Sequence, residues 1–377
     1  MARAQFMMLL ALALGGASAW QVPKLSKLPQ LHRSPLSSKD VQATPVTAPA
    51  KYSTALEAAT ATAGGEAEGG GLAQTLKVGG YFGLWYALNI GYNIYNKKAL
   101  NIVDLPWTMA LIQLFAGIPY VMLLWATGLR KAPVLTKENI KNLTPSALCH
   151  LGTHVGAVLS LGAGAVSFTH IVKASEPVVS ALLTAVFLKE FLPIPVYLSL
   201  LPVIGGVGLA SLKELSFSWL AFGTAMLSNV ASASRAILSK GLMNKPIGEN
   251  LDAPNLYAVL TMIAFAFLLP VSLLIETPGA IKTAVDAAVS GGTSLSSLTM
   301  ISVLSGVYYY LYNEVAFLAL NAVAPVTHAV GNTIKRVVII LASVVVFGNQ
   351  LTPLGAAGSA IAIFGTLLYS LAKNHFK

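Results

Sequence analysis

Four cations stand where charge is costly: Lys173, Arg235 and the adjacent pair Lys335 and Arg336 each interrupt a long apolar run. An ionisable side chain at the centre of a bilayer costs about 2.5–3.5 kcal/mol on insertion scales, so such groups face a cavity or a partner. Lys335 and Arg336 lie roughly nine residues into their run, about 14 Å deep at 1.5 Å per residue, too far in to snorkel to the interface. Lys173 has an acid, Glu176, three residues on and on the same helical face. Lys173, Lys335 and Arg336 carry three positive charges, and Glu176 offsets one. The remainder suits an anion of about two charges, such as phosphate or a phosphate monoester. Arg brings a planar fork and Lys a compact charge, a combination fitted to a phosphoryl group. Sulfate or a dicarboxylate meets the same count. His154, Tyr308, Tyr309, Tyr310 and Tyr312 offer polar atoms for the rest of a ligand, although only one face of the tyrosine run can point inward.

The elements that must position these groups follow from composition. Of 377 residues, 55% are apolar and 10% charged, against about 25% charged in soluble domains. That excludes a soluble enzyme, a disordered scaffold and a nucleic-acid binder with a basic face. One cysteine, Cys149, excludes a disulfide framework and a cysteine-based zinc site. From residue 78 the apolar runs recur, and ten spans are predicted: 78–96, 107–128, 144–163, 166–188, 194–212, 217–238, 255–275, 298–319, 326–347 and 354–372. An even count puts both termini on one side. Ten loop cations, among them Lys77, Arg130, Lys189 and Lys377, fall there; Lys97, Lys98, Lys213 and Lys282 fall on the other.

The chain also repeats itself. Phe168-Thr169-His170 is echoed by Val326-Thr327-His328 after 158 residues, and Phe187…Pro193 by Phe347…Pro353 after 160. Gly205 and Gly365 share that 160-residue offset. Five spans per half is an odd number, so the halves must be inverted. The predicted fold is an all-α membrane protein of ten transmembrane helices in two inverted five-helix repeats, about 78–212 and 217–373. Transporters with this plan place the site at the repeat interface near mid-membrane. Rocking through an occluded state would bury uncompensated cations unless an anion is bound, which predicts obligatory exchange.

The first 77 residues read as a leader. Residues 1–19 have Arg3, an apolar run Phe6–Leu14 too short to span, and the small residues Ala17-Ser18-Ala19, the pattern of a signal peptide. Residues 20–77 are basic, hydroxylated and poor in acids, the composition of an organelle transit peptide with a flexible linker. The junction at Trp20 resembles the bipartite leaders of proteins bound for plastids of secondary red-algal origin, which implies a plastid envelope membrane.

The residues argued above also resemble a family. Ala165-Val166-Ser167-Phe168-Thr169-His170-Ile171-Val172-Lys173-Ala174-Ser175-Glu176-Pro177 looks like the fourth-span signature of plastid phosphate translocators of the drug/metabolite transporter superfamily. Pro325-Val326-Thr327-His328-Ala329-Val330-Gly331-Asn332-Thr333-Ile334-Lys335-Arg336 resembles their ninth-span signature. The resemblance runs from about 78 to 373. It implies ten helices in two inverted halves and exchange of phosphate for phosphorylated sugars or three-carbon acids. It also implies that Lys173, Lys335 and Arg336 grip the phosphate, that Tyr312 and Arg235 hold the other end of the substrate, and that His154, nineteen residues before Lys173, is the family's substrate-site histidine. The ninth-span motif is closest to the triose-phosphate branch. Ala157, where that branch has a hydroxyl, and Ser232, where it has a bulky aromatic, leave hexose phosphate and phosphoenolpyruvate as alternatives. The expected partners are thus phosphate, phosphorylated three-carbon compounds and lipid, for a monomer in the innermost envelope with stromal termini. No cofactor or metal is required.

Other classes fit less well. A nucleotide-sugar carrier would lack the Lys335-Arg336 pair, and a channel would not need its cations covered during transit. His150 and His154 stand i, i+4 beside Cys149, but no carboxylate lies near in sequence to complete a metal site.

Overall fold

Proline writes many of the helix starts. Its fixed φ and missing N–H suit the first helical turn, and Pro106, Pro254, Pro278 and Pro353 each occupy one. Side-chain caps complete several of them: Asp252 accepts from Asn255 N, Thr277 from Ala280 N and Thr352 from Gly355 N. The computed structural model describes residues 71–212, 217–242, 248–323, 325–348 and 352–376. The expected signal peptide, and the expected transit segment up to residue 70, lie outside the described residues. Residues 71–77 form the first turns of a helix rather than the end of a linker.

Among the described residues the chain is helical, with one isolated bridge between Val134 and Glu249. In order the helices are α1 (Gly71–Ile102), α2 (Pro106–Ala126), α3 (Lys137–Ala163), α4 (Val166–Lys173), α5 (Glu176–Leu183), α6 (Ile194–Leu198) and α7 (Leu201–Leu212). Then come α8 (Trp219–Leu242), α9 (Ala253–Ile275), α10 (Pro278–Ser290), α11 (Leu295–Ala322), α12 (Pro325–Phe347) and α13 (Pro353–His375). A π-turn, Thr184–Leu188, extends α5.

Seven helical stretches among the described residues are long and apolar enough to cross a membrane: α2, α3, Val166–Leu188, Ile194–Leu212, α9, α12 and α13. The helices α1, α8 and α11 are as long, at 32, 24 and 28 residues. They are less apolar because Asn89, Asn93, Asn96, Thr224, Ser228, Asn229, Ser305 and Glu314 are buried in the bundle. The outside is the reverse: Leu182, Phe191, Leu212, Leu274 and Val345 are exposed. Polar inside and apolar outside is the arrangement a lipid solvent imposes.

Small residues bring the helices together. A Cβ on Gly206 would sit 2.3 Å from Ala362 N, one on Gly358 2.6 Å from Ala210 N, and one on Gly365 2.7 Å from Val203 N. These contacts run in opposite directions along the chain, so α7 and α13 cross antiparallel at backbone distance. Of the glycines in this stretch, 206 serves the crossing, whereas a Cβ on Gly205 or Gly208 would meet nothing within 4 Å. Gly152 and Gly156 let α8 lie against α3, over Ala231 and Ser228. Gly91 accommodates Tyr308 where α11 lies along α1.

The stretch between the seventh and eighth predicted spans is not a plain loop. It holds α10, whose Ile281, Ala284, Val285 and Ala288 pack on Val103, Leu105 and Leu298. On its exposed side Lys282 Nζ donates to Asp286 Oδ2 at 2.6 Å. Just before it, Glu276 accepts from Trp107 N at 3.0 Å and Thr108 N at 2.7 Å, capping α2 from another part of the chain.

Candidate anion-binding site

α4 ends at Lys173 and α5 begins at Glu176. Pro177 accounts for the break: it has no N–H to give, and its ring would clash with the carbonyl of residue 173, four positions back. The break undoes the i, i+3 pairing expected of Lys173 and Glu176. Lys173 Nζ instead donates to Ser228 Oγ on α8 at 2.6 Å, and that hydroxyl donates to Thr153 O on α3 at 2.7 Å. Glu176 reaches across helices. Its Oε2 accepts from an Arg336 terminal nitrogen on α12 at 3.4 Å, and its Oε1 from Ser232 Oγ on α8 at 2.5 Å. The direct ion-pair partner of Glu176 is therefore Arg336, while Lys173 and Arg235 act on the carboxylate through space.

Arg336 is held loosely. Its second contact, to His170 O, is 3.5 Å long, and its buried Nε has no hydrogen-bond partner among the described residues. Lys335 is the next residue on the same helix, so it points about 100° away. Its Nζ lies 4.5 Å from the centroid of the Trp85 ring, which stacks on His328 at 5.0 Å. A cation over an indole face is stabilised by the ring quadrupole, though by less than by a carboxylate. Among the described residues no acid lies within ion-pair distance of Lys335. Lys173, Glu176 and Arg336 are its electrostatic neighbours.

The residues assigned to the other end of a ligand adjoin this cluster. Arg235 donates to His150 Nδ1 at 3.1 Å and acts electrostatically on Lys173, Glu176, Tyr309 and Tyr312. Tyr312 packs on Tyr92 and Tyr309, with ring centroids 5.3 and 5.7 Å away. His154 is buried; its Nε2 faces Ala110 O at 3.3 Å and its ring lies 4.0 Å from Tyr309. Ala157 is half-buried on α3. Lys173, Arg235, Lys335 and Arg336 are thus brought into one charged neighbourhood from α4, α8 and α12, with Tyr312 of α11 within the electrostatic reach of Arg235.

A cleft of about 350 Å³ opens elsewhere, where the end of α1, the α3–α4 turn and the end of α12 meet. Lys97, Asn101, Gly164 and Phe347 line it, and none of the clustered cations does. Lys97 Nζ is tied to Leu161 O at 2.8 Å and Gly164 O at 3.0 Å, so this cation binds a helix end rather than standing free in a loop.

Reading the sequence for stranded cations missed what meets them: Ser228, Ser232 as a donor to Glu176, and Trp85. It also missed a second ion pair. Arg130, counted as a loop cation, turns inward to pair with Glu314 of α11. An acid eight residues from the end of α11 was the available signal. Glu314 is buried and Arg130 half-buried, so Glu314→Gln should leave a poorly compensated guanidinium at a cost of about 1–3 kcal/mol. The expected result is a clear fall in the thermal midpoint of the detergent-solubilised protein. Arg130→Met combined with Glu314→Leu should restore most of it, because apolar replacement of a buried pair is near neutral.

Comparison with known proteins gives this arrangement a family. The profile of the Triose-phosphate Transporter family matches residues 76–370. A phosphoenolpyruvate/phosphate translocator 1 of Oryza sativa subsp. japonica is 43% identical over 321 residues, covering 84% of this chain and 78% of its own length. Glucose-6-phosphate/phosphate translocator 2 of Arabidopsis thaliana is 42% identical over 302 residues, covering 80% and 76%. The triose phosphate/phosphate translocator of Spinacia oleracea is 40% identical over 311 residues, covering 82% and 81%. All three are chloroplastic. The chain belongs to the triose-phosphate transporter family, the family of the chloroplast phosphate translocators.

Proposed function

We propose that the protein is an obligatory antiporter, exchanging inorganic phosphate for triose phosphate or 3-phosphoglycerate across a plastid envelope membrane. The observation that carries this is the convergence of Lys173, Lys335 and Arg336 around a single acid, Glu176. A phosphate between them would replace the loose 3.4 and 3.5 Å contacts of Arg336 with short, charge-assisted ones. In this reading Arg235 and Tyr312 take the rest of a phosphorylated three-carbon compound, and His154 supports them through its ring contact with Tyr309.

Alternating access needs two halves that can rock. In this reading ten helices form two inverted halves, with α4/α5 corresponding to α12 and α6/α7 to α13. The pairing of helices supports it. Exchanging each span for its counterpart five further on turns the α1–α11 packing into the α8–α3 packing, and maps the α7–α13 crossing onto itself. The leader, read as signal plus transit peptide, fits a protein of the innermost plastid envelope, and the bias of loop cations fits termini in the stroma.

Relatives named for triose phosphate, glucose 6-phosphate, phosphoenolpyruvate and xylulose 5-phosphate all stand near 40% identity, so similarity alone does not select a substrate. The small side chain of Ser232 would leave room for a longer substrate such as hexose phosphate, and hexose phosphate or phosphoenolpyruvate is the second reading. The test is reconstitution into liposomes loaded with phosphate, with unlabelled compounds competing against labelled phosphate. Triose phosphate and 3-phosphoglycerate should compete best; stronger competition by glucose 6-phosphate or phosphoenolpyruvate would replace the first reading with the second.

A further inference from the structure

His150 carries a cost that packing alone does not explain. It is buried on α3, one turn before His154. Gly152, whose Cβ would crowd Ala231 of α8, lets that helix come close enough for Arg235 to reach it. Arg235 donates to its Nδ1 at 3.1 Å. An arginine only donates, so Nδ1 is the acceptor, the ring is neutral and its proton sits on Nε2. That buried N–H has no hydrogen-bond partner among the described residues. A phenylalanine would fill the same space, edge-on to Tyr257 of α9 at 5.6 Å, without leaving a buried donor unsatisfied. What the ring does with its other nitrogen accounts for its presence.

We propose that His150 is a positioning residue for the organic end of the cargo, turning Arg235 toward it while leaving the arginine's charge intact. This rests on the phosphate-exchange reading above, in which Arg235 takes the part of the substrate away from the phosphate. Ser228, Ser232 and Arg235 share one face of α8. The first two meet Lys173 and Glu176 on the phosphate side, and the third lies one turn on, held by His150. Among the described residues Arg235 has no ion-pair partner. A carboxylate at position 150 would orient the guanidinium equally well, but it would cancel the charge and compete with an anionic cargo. A neutral acceptor orients without competing. With one terminal nitrogen held in this way, the rest of the planar fork can meet a carboxylate or carbonyl oxygen of the cargo.

The test replaces His150 by Phe, which keeps a ring and removes the acceptor, and by Asn, whose Oδ1 can accept in its place. Each full-length variant is reconstituted into liposomes loaded with phosphate. Unlabelled 3-phosphoglycerate and unlabelled phosphate then compete in turn against labelled phosphate. In His150→Phe the ratio of the two inhibition constants should shift against 3-phosphoglycerate by on the order of tenfold, the scale of one misplaced charge-assisted hydrogen bond. His150→Asn should keep the wild-type ratio. A histidine that only fills space would move both constants together. An unchanged ratio in the Phe variant overturns the proposal, and so does an Asn variant that shifts as far as Phe. If the Phe variant does not transport, the ratio is read from the concentrations of each anion that half-maximally stabilise the detergent-solubilised protein against heat. Wild-type protein that exchanges no phosphate, or that 3-phosphoglycerate does not inhibit, overturns the underlying reading instead, and that is seen before any variant is made.

Discussion

Lys335→Ala should abolish phosphate exchange while leaving the protein as stable as before, or more so. The two halves of this result have separate causes. At 4 Å and an effective dielectric of 20, one unit charge acts on another with about 4 kcal/mol. Even a fraction of that, lost from a dianion's binding, lowers exchange by two to three orders of magnitude, since about 1.4 kcal/mol is tenfold. Stability goes the other way because Lys335 has an indole face and no ion-paired acid among the described residues. Removing a half-buried ammonium that has no ion-pair partner among the described residues relieves part of its desolvation cost. Arg336→Ala is a useful contrast. It should lose exchange equally, but it strips the half-buried Glu176 of its direct ion pair, so the thermal midpoint should fall rather than rise. Transport and thermal midpoint, measured on both variants, separate a residue that grips cargo from one that also holds the bundle. A folded Lys335→Ala protein exchanging near the wild-type rate would remove this lysine from the site.

How much of this was legible in the chain depends on the residue. The stranded cations were visible because charge in an apolar run has few benign explanations, and the same logic found Arg235. Their partners were not visible. Glu176 was assigned to Lys173 on helical spacing, and the dipeptide Glu176-Pro177 that defeats the spacing was present in the sequence all along. Proline after a charged pair is a local signal that outranks periodicity. The α4–α5 break was therefore readable, whereas the reach of Arg336 to Glu176 is a tertiary event, 160 residues apart, with no local trace. The inward turn of Arg130 escaped because loop cations were counted rather than matched with acids in the spans. α10 escaped because its apolar stripe is short and its charges, Lys282 and Asp286, read as loop.

The pairing of Glu176 with Arg336 bears on mechanism. It compensates one cation of the cluster without a ligand, and it leaves Lys173 on a neutral hydroxyl and Lys335 on an indole. Sealing the site from water on both sides in that condition keeps two cations short of counter-charge, at several kcal/mol each. In the proposed exchange a bound dianion would remove most of that cost, so the loaded carrier would cross and the unloaded one would be held back. The barrier is electrostatic, so the anion need only be the right charge and small enough to be enclosed.

Labelled phosphate uptake into liposomes carrying the purified full-length chain, with and without unlabelled phosphate inside, puts that barrier to the test. Two uncompensated cations predict uptake into anion-free vesicles at no more than ~1% of the preloaded rate, the factor that about 2.8 kcal/mol sets. Equal rates with and without internal anion would contradict the account, because the unloaded protein would then be crossing with its cations bare.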